Sequence, residues 1–373
     1  MNVKNLRLAL RALIDPYFYI NFAKVVIYDL IIYALRMYRF NNKVKKRFPQ
    51  LVNRTDLIIE RPTDCEIDHS VYFAKDVKLV FSYLSEAGKD KLIIKNNVYI
   101  CERVELAVER NSTLTIGHHT YIRENSRLLG NVTVGNYCQI SQNVYIGAGS
   151  HIFDSEPWLY IRDQDAIYYK KNDDAFVEIH DDVFIGANVY IKSNIIVGKG
   201  AVIGANAAVL SDVLPYSIIG SNGQKIRERI KYLPPIYLNF SEDQHLPYLY
   251  SGIACDIENI TKARNIGGLT FNSSSATLVM NLGDSSSFRL HLRTRQSNCL
   301  IDNLAIKVNG VYQYGIKIER NDNLILINFD LNKDDISNGI KIFKKWDWIE
   351  ISMDRLSTVM FVEAEVIPIQ NAI

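Results

Sequence analysis

The sequence predicts a mainly β protein in which a three-sided β-solenoid lies between an N-terminal helical segment and a C-terminal antiparallel β-sandwich. Three observations carry this prediction. An aliphatic residue recurs every six residues through the centre of the chain, a basic and apolar stretch precedes it, and a period of two follows it. The predicted boundaries are 1–60 for the helical segment, 61–230 for the solenoid and 245–373 for the sandwich.

Composition narrows the function classes before any motif is considered. The 373 residues are 48% hydrophobic and 23% charged, which is typical of a folded globular protein. Residues 1–50 hold 10 lysines and arginines against 2 aspartates, whereas the remainder is net negative, and this balance excludes general nucleic-acid binding. The 5 cysteines are scattered without a CxxC pair, and we see no secretory signal, so we expect a cytoplasmic protein.

Residues 17–47 have the pattern of a helix with a wide apolar face. Asp29, Arg36 and Lys43 fall on one stripe, aliphatic and tyrosine side chains fill most of the rest, and a basic cluster ends at Arg47. One interpretation is peripheral contact with the inner face of an anionic membrane. The other is a helix packed on a neighbouring domain or subunit, and the sequence leaves both open.

Aliphatic side chains follow one another at six-residue intervals in two runs. A small or β-branched residue stands four positions after every one of them except Ile152, and glycine often follows directly. One short strand and one corner per six residues explain this spacing, because three such units close a triangular coil with one aliphatic side chain per unit pointing inward. The positions are Ile116, Ile122, Leu128, Val134, Ile140, Ile146 and Ile152, then Ile179, Ile185, Ile191, Val197, Ile203 and Val209.

Three segments resemble the hexapeptide-repeat acyltransferases: Val183–Val189, Gly198–Val209 and Pro215–Gly220. The resemblance covers roughly residues 65–230. It implies a left-handed parallel β-helix that assembles as a homotrimer with active sites between subunits. It also implies direct transfer of an acyl group from acetyl-CoA to a hydroxyl or an amine, without a metal.

The same resemblance implies where the donor binds. Small residues along the late coils let the pantetheine arm approach the backbone closely, and one lysine matches the segment that leaves the last coil. There the family usually reads Gly-Asn-Pro-Ala-Lys and this chain reads Ser-Asn-Gly-Gln-Lys. The implied donor residues are Gly186, Ala187, Ala205, Ala207 and Lys225.

The six-residue period breaks after Ile152. The next aliphatic of the pattern, Ile179, lies 27 residues on, which is not a multiple of six. Residues 153–176 are therefore predicted to leave the coil as an excursion loop. Aromatic rings stack on sugar faces, so Trp158 and Tyr160 in this loop are candidates for binding a carbohydrate acceptor. A loop that packs on a neighbouring subunit is the alternative.

His151, directly before this loop, is the candidate catalytic base. A hydroxyl must lose its proton as it attacks a thioester, and histidine is the usual base near neutral pH. The family places its catalytic histidine at such a corner. Asp154 and Glu156 are candidates for orienting the ring. By resemblance, Asn125 and His119 are further acceptor-binding candidates on the coil edges.

A period of two replaces the period of six beyond Pro234–Pro235. Apolar and polar residues alternate over 288–293 and again before Asn309–Gly310, a favoured hairpin turn pair. Short strands with turn signals predict an antiparallel sandwich. Glycan binding through residues such as Arg289 and Trp348, packing of these residues in a core, and an oligomer contact all remain open.

Together these features predict an acetyl-CoA-dependent O-acetyltransferase acting on a bacterial cell-surface glycan such as capsule or the O-antigen of lipopolysaccharide. An N-acyltransferase of an amino-sugar nucleotide would use the same fold and base, although no nucleotide-binding βαβ unit precedes the coils. A non-catalytic glycan-binding scaffold is a third interpretation. A zinc hydratase needs converging imidazoles, and no His-x4-His pair occurs.

Overall fold

The structure is a computed structural model, and the part of the chain it describes comprises residues 46–48, 56–83, 85–147, 151–168, 174–230, 234–255, 257–283, 285–294, 303–331, 347–354, 356 and 359–368. The predicted helix over 17–47 lies outside these residues apart from 46–47. The chain divides into two units, 1–229 and 230–373. Over the described residues, no helix has the length and apolar character needed to cross a bilayer.

Three sheets, named A, B and C, build the first unit, and each coil adds one short strand to each sheet. All strand pairs are parallel except the last pair of sheet C. Sheet A contains Ile58–Ile59, Lys78–Phe81, Glu105–Val108, Arg127–Leu129, Tyr145–Gly147, Tyr190–Ile191 and Ala208–Val209. Sheet B contains Cys65–Ile67, Lys91–Ile94, Thr113–Ile116, Val132–Val134, Val177–Ile179 and Ile195–Val197. Sheet C contains Tyr72–Phe73, Tyr99–Ile100, Tyr121–Ile122, Gln139–Ile140, Phe184–Ile185, Val202–Ile203, Ser217–Ile219 and Lys225–Glu228. The predicted β-helix is confirmed.

The repeated aliphatic residues form one continuous buried column inside the β-helix. Small polar residues beside them join successive coils. The hydroxyl of Thr120 donates to the carbonyl of Gly135 at 2.8 Å and accepts the amide of Cys138 at 3.1 Å. Ser126 makes the same pair of bonds to the next coil, through Ser141 and Val144. These hydroxyls satisfy backbone groups that the tight corners leave without a sheet partner.

The corner between sheets C and A repeats one residue type in a left-handed backbone conformation. Asn125, Asn143, Asn188 and Asn206 all have φ near +60° (59, 58, 58 and 62°), which asparagine tolerates better than most residues. The side-chain amide of each of the first three donates to the side-chain oxygen of the next asparagine, at 3.2, 3.0 and 3.0 Å in chain order. We call these four residues the asparagine ladder. Arg103, one coil earlier, donates to Asn125 at 2.7 Å.

The excursion leaves and rejoins the β-helix without disturbing its register. Ile146 pairs with Ile191 in sheet A, so the sheet A strand before the insertion is the direct neighbour of the first sheet A strand after it. Ile179 takes the sheet B position that the spacing assigned to Ile152, because Ile179 pairs with Val134. The excursion therefore begins after Gly147 rather than at 153, and Ile152 belongs to its base.

The second unit contains two antiparallel sheets, D and E, each with alternating buried residues. Sheet D contains Tyr237–Asn239, Leu269–Thr270, Ser285–Thr294, Lys317–Asn321, Leu324–Asp330 and Val359–Pro368. Sheet E contains Leu249–Ser251, Ser275–Met280, Ala305–Val308, Val311–Tyr312 and Asp347–Ser352. The remaining elements of the described chain are helix α1 (Ile161–Tyr168), helix α2 (Ile257–Ile266) and 3-10 turns at Pro62–Asp64 and Asp243–Tyr248.

The hairpin predicted at Asn309–Gly310 is present: both residues have positive φ, and Val308 pairs with Val311. Its second arm is short. The arm ends at Tyr312, and the next strand, Lys317–Asn321, belongs to the other sheet. Trp348 is a buried core residue with its ring edge-on to Tyr250, so it is not available for stacking on a glycan. The sheets also begin earlier than residue 245, at Tyr237.

Candidate active site

His151 lies at the base of the excursion, where the chain has just left sheet A. Its ring nitrogen Nδ1 is 2.7 Å from Oδ2 of Asp165, and the other oxygen of that carboxylate accepts the backbone amide of Ile152 at 2.7 Å. The imidazole is largely exposed. Asp165 comes from helix α1, so one carboxylate joins this helix to the histidine and to the residue after it.

The surroundings of the Asp165 carboxylate favour its ionised form. Partial burial opposes ionisation of Asp165, but the hydrogen bonds from Ile152 and His151 and the charge of His151 together lower its pKa. An ionised carboxylate can only accept, so Nδ1 carries the proton and donates it to Asp165. The tautomer that results has its basic lone pair on Nε2. This is the tautomer that a general base at this position would need.

Sequence reasoning chose the wrong carboxylates for this contact. Asp154 and Glu156 were the candidates, and the structure shows Asp165 at Nδ1 instead. Glu156 accepts a hydrogen bond from the hydroxyl of Tyr168, which, with burial, raises the pKa of that tyrosine. The missed signal was helix α1 itself: no glycine or proline interrupts 159–168, and a helix there would carry Asp165 back to the base of the loop.

The excursion exposes large apolar side chains beside this pair. Trp158 is 78% exposed and Tyr160 is 80% exposed. Phe153, Ile161 and Ile167 are also exposed on the same segment. The structure thus places the two predicted acceptor-binding aromatics on the segment that carries His151, with surfaces that a ligand could cover.

Three of the five predicted donor residues meet at one corner. Gly186, Ala187 and Ala205 belong to successive coils at the corner between sheets C and A, next to the asparagine ladder. A Cβ on Gly186 would lie 2.6 Å from the backbone nitrogen of Ala205, so the coils touch here through backbone alone. We call these three residues the donor wall. It lies at a different corner from His151.

The other two donor candidates are placed differently. Ala207 is buried in the core of the β-helix, where its carbonyl accepts the amide of Tyr190, so its side chain cannot contact a ligand on the surface. Lys225 is exposed on the antiparallel strand that ends sheet C and is paired with Glu228. The side chain of Ala207 is therefore out of reach of a ligand on the surface, whereas Lys225 is accessible.

The two acceptor candidates on the coil edges have structural partners. Asn125 uses its carbonyl oxygen for Arg103 and its amide for Asn143, as a member of the asparagine ladder. His119, with φ of 56°, stacks on Tyr137 at 4.9 Å between ring centroids, and the rings are parallel within 1°. Both side chains are explained by corner geometry, and the structure brings neither of them to His151.

One group of the described residues brings metal-ligating atoms together: Cys101, Glu102 and Glu124, within 4.8 Å of one another. Burial raises the pKa of the Cys101 thiol, and the ion pair with Arg123 lowers the pKa of Glu124. A thiol that keeps its proton is a poor metal ligand, and the Glu124 carboxylate is already paired. We assign no metal to this group.

Comparison with known proteins points to the same fold. Residues 176–211 match the family model described as bacterial transferase hexapeptide (six repeats). The chloramphenicol acetyltransferase of Escherichia coli is 39% identical over 108 residues, which are 26% of this chain and 50% of that protein. The chain thus spans about half the length of the chloramphenicol acetyltransferases it matches.

Solved structures also match in part. The polySia specific acetyltransferase NeuO is 21% identical with a TM-score of 0.30, over 48% of this chain and 84% of that chain. AntD, an N-acyltransferase from Bacillus cereus, is 20% identical with a TM-score of 0.34, over 43% of this chain and 81% of that chain. The three-sheet coil is a parallel β-helix, and residues 176–211 within it are similar to the hexapeptide repeats of bacterial transferases.

Proposed function

We propose that this protein transfers an acetyl group from acetyl-CoA to a sugar hydroxyl of a bacterial cell-surface glycan, with His151 as the general base. The observation that carries the proposal is the contact between His151 and Asp165, which fixes the tautomer of an exposed imidazole at the base of an aromatic loop. The likeness of the β-helix to curated acetyltransferases supports the reaction class.

The reaction proceeds by direct attack, because the thioester is already activated. Nε2 of His151 takes the proton of the acceptor hydroxyl while the oxygen forms a bond to the thioester carbonyl carbon. The tetrahedral intermediate then breaks its carbon–sulfur bond. The leaving thiolate receives the proton from the imidazolium, which gives the acetyl ester and free CoA and restores the neutral histidine. Asp165 stabilises the imidazolium between the two proton transfers.

The donor wall suits the pantetheine arm of CoA. Gly186, Ala187 and Ala205 present backbone groups without bulky side chains, so an extended chain can lie close along the corner. Lys225, exposed just beyond the last coil, is positioned to meet a phosphate of the donor.

The acceptor binds at the excursion. Trp158 and Tyr160 offer exposed aromatic surface. The side chain of Arg162 is 89% exposed and pairs with Asp163, and its remaining N–H groups suit hydroxyl or carboxylate groups of a glycan. This composition favours a saccharide over an apolar acceptor.

The active site lies between subunits of a homotrimer. His151 and the donor wall occupy different corners of one chain, so packing two β-helices side by side would bring the base of one subunit to the donor wall of the next. Refolding two different variant chains together tests this arrangement. His151→Ala and Ala205→Trp chains, each inactive alone, should regain activity when refolded together.

Thiol release from acetyl-CoA tests the function. Purified protein should release thiol in the presence of de-O-acetylated capsule or O-antigen fragments, and His151→Ala should abolish the release. His69→Ala is the matched control, because His69 is an exposed histidine beside an aspartate, 3.4 Å from Asp68, outside the excursion. Release with UDP-amino sugars alone would instead support N-acylation, and wild-type release by His151→Ala would overturn the base assignment.

A further inference from the structure

Helix α1 turns its polar side inward. Gln164 is 1% exposed, whereas Ile161 and Ile167 are 52% and 56% exposed. A surface helix normally buries its apolar side chains and exposes its amides. The inward face of α1 therefore makes hydrogen bonds instead of burying apolar area.

The buried amide of Gln164 holds the excursion at three points. Its Nε2 donates to the carbonyls of Phe153 and Leu159 at 3.3 and 3.1 Å, and its Oε1 accepts the backbone amide of Glu156 at 3.0 Å. An amide side chain offers two donors and an acceptor, and all three functions are used within one short segment. Tyr168 stands one turn on, on the same face, and its hydroxyl bonds the Glu156 carboxylate.

The bonds of Gln164 flank Trp158 on both sides in the chain. Trp158 is 78% exposed, so the backbone of the segment sets its place more than packing of its own ring does. The next residue of the helix, Asp165, holds His151 and Ile152. Two adjacent residues of one helix thus fix the aromatic segment and the histidine relative to each other.

We propose that Gln164 is the positioning residue for the glycan acceptor: it holds the segment 153–159, and with it Trp158, at a fixed place relative to His151. This inference rests on the proposed acetyl transfer to a glycan. Gln164 itself touches neither substrate. Its loss frees the acceptor-binding segment, while Asp165 keeps the base oriented and the donor wall, at another corner, is untouched.

The test compares Gln164→Met with Gln164→Glu. Methionine keeps the shape and removes all three bonds, and glutamate places an acceptor-only carboxylate against two carbonyl oxygens. Both variants should raise the acceptor KM about tenfold or more, since each acceptor must then order the segment on binding. The acetyl-CoA KM, and kcat at saturating acceptor, should stay within about twofold of wild type, because an ordered complex meets the same base.

Gln139→Met is the matched control, because Gln139 is exposed on sheet C outside the excursion. Amide hydrogen exchange measures the order of the segment 153–159 without depending on turnover. The amide hydrogens of Glu156 and Leu159 should exchange faster than in the wild type in both Gln164 variants, and at the wild-type rate in Gln139→Met.

The outcomes separate this inference from the function on which it rests. Wild-type acceptor KM in both Gln164 variants of an active enzyme would overturn the inference and leave the function standing. A fall in kcat and a rise in both KM values would show a merely structural role and also overturn it. A wild-type protein that acetylates no glycan would overturn the function and the inference together.

Discussion

Asn143 donates its side-chain amide to Asn188 at 3.0 Å, although 45 residues separate them in the chain. Asn125 makes the same contact to Asn143 over only 18 residues. The asparagine ladder thus continues across the excursion as if the inserted residues were absent. The β-helix and the excursion are therefore separable in folding terms, and the first prediction follows from that relationship.

Deleting residues 148–174 should leave a folded β-helix. The deletion restores the 18-residue spacing between Asn143 and Asn188 that Asn125 and Asn143 already have. We expect a far-ultraviolet circular dichroism spectrum that keeps its β-sheet signal and loses only the small contribution of helix α1, cooperative thermal unfolding, and complete loss of acetyl transfer. His151→Ala, with the excursion intact, is the control for the loss of activity. Failure of the deleted protein to fold would show that the excursion stabilises the coils.

Substitutions at Asn143 should separate its hydrogen bonds from its backbone conformation. Asn143→Gly keeps the favourable left-handed conformation and removes the amide, whereas Asn143→Ala loses both. We expect the alanine variant to be less stable than the glycine variant by about 1 kcal/mol, the order of the left-handed penalty for a residue with Cβ. Urea unfolding measures the difference. Equal stability of the two variants would contradict the expectation that the left-handed backbone conformation at Asn143 carries a free-energy penalty for alanine.

Thr120→Val should destabilise the first unit by about 1–3 kcal/mol, because it leaves the carbonyl of Gly135 and the buried amide of Cys138 without the hydroxyl between them. Thr133→Val is the control, since Thr133 is exposed on sheet B and valine suits a strand. Urea unfolding again gives the comparison, and a Thr120→Val protein as stable as the control would rule out the hydroxyl as a joint between coils.

Asp165→Asn should lower kcat about a hundredfold or more, with little change in either KM. An asparagine amide can donate to Nδ1 and so favours the tautomer whose proton sits on Nε2, where the base must be vacant. Steady-state thiol release measures the effect. A kcat within twofold of wild type would remove Asp165 from the mechanism and leave His151 to be tested alone.

Acid should break the hydrogen bonds by which Asp165 holds His151 and Ile152 at the start of the excursion. The pKa of Asp165 is lowered from its ordinary value of 3.8, so its ionised hydrogen bonds stabilise the folded state above that value and are lost as the pH falls through the folded-state pKa. The Ile152 amide should lose protection from hydrogen exchange only below pH 3.8. In Asp165→Asn, protection at this amide should not change over the same window, and an identical acid response would assign the effect to another group.

The fold could be predicted because its signal is repeated. Each inward aliphatic residue sees the same environment as the one a coil away, so Leu128 and Ile146 support the same conclusion independently. Even the excursion was evident, as an interruption of the spacing. Its start was misplaced because Ile152 continues the period by chance and is buried, although Ile179 takes its place in the sheet.

The candidate site could be predicted only in part, because its contacts join residues without a common spacing. His151 is a prediction from its place beside the interruption and from the family resemblance. Asp165 was not predicted, because its partnership with His151 depends on helix α1, an element with inverted polarity that apolar periodicity cannot detect. Asn125 shows the opposite limit: the family resemblance suggested that it binds the acceptor, and only the structure reveals the asparagine ladder that occupies its amide.

An insertion that leaves and rejoins a solenoid at one corner allows acceptor specificity to change without changes in the solenoid core. The excursion can lengthen, shorten or be exchanged between relatives while the column of aliphatic residues and the corner that carries Gly186 and Ala205 stay as they are. Selection for a new acceptor would then act on a short, replaceable stretch of sequence. Under the proposed function, related enzymes could acquire different glycan acceptors while the residues that bind the acyl donor stay the same.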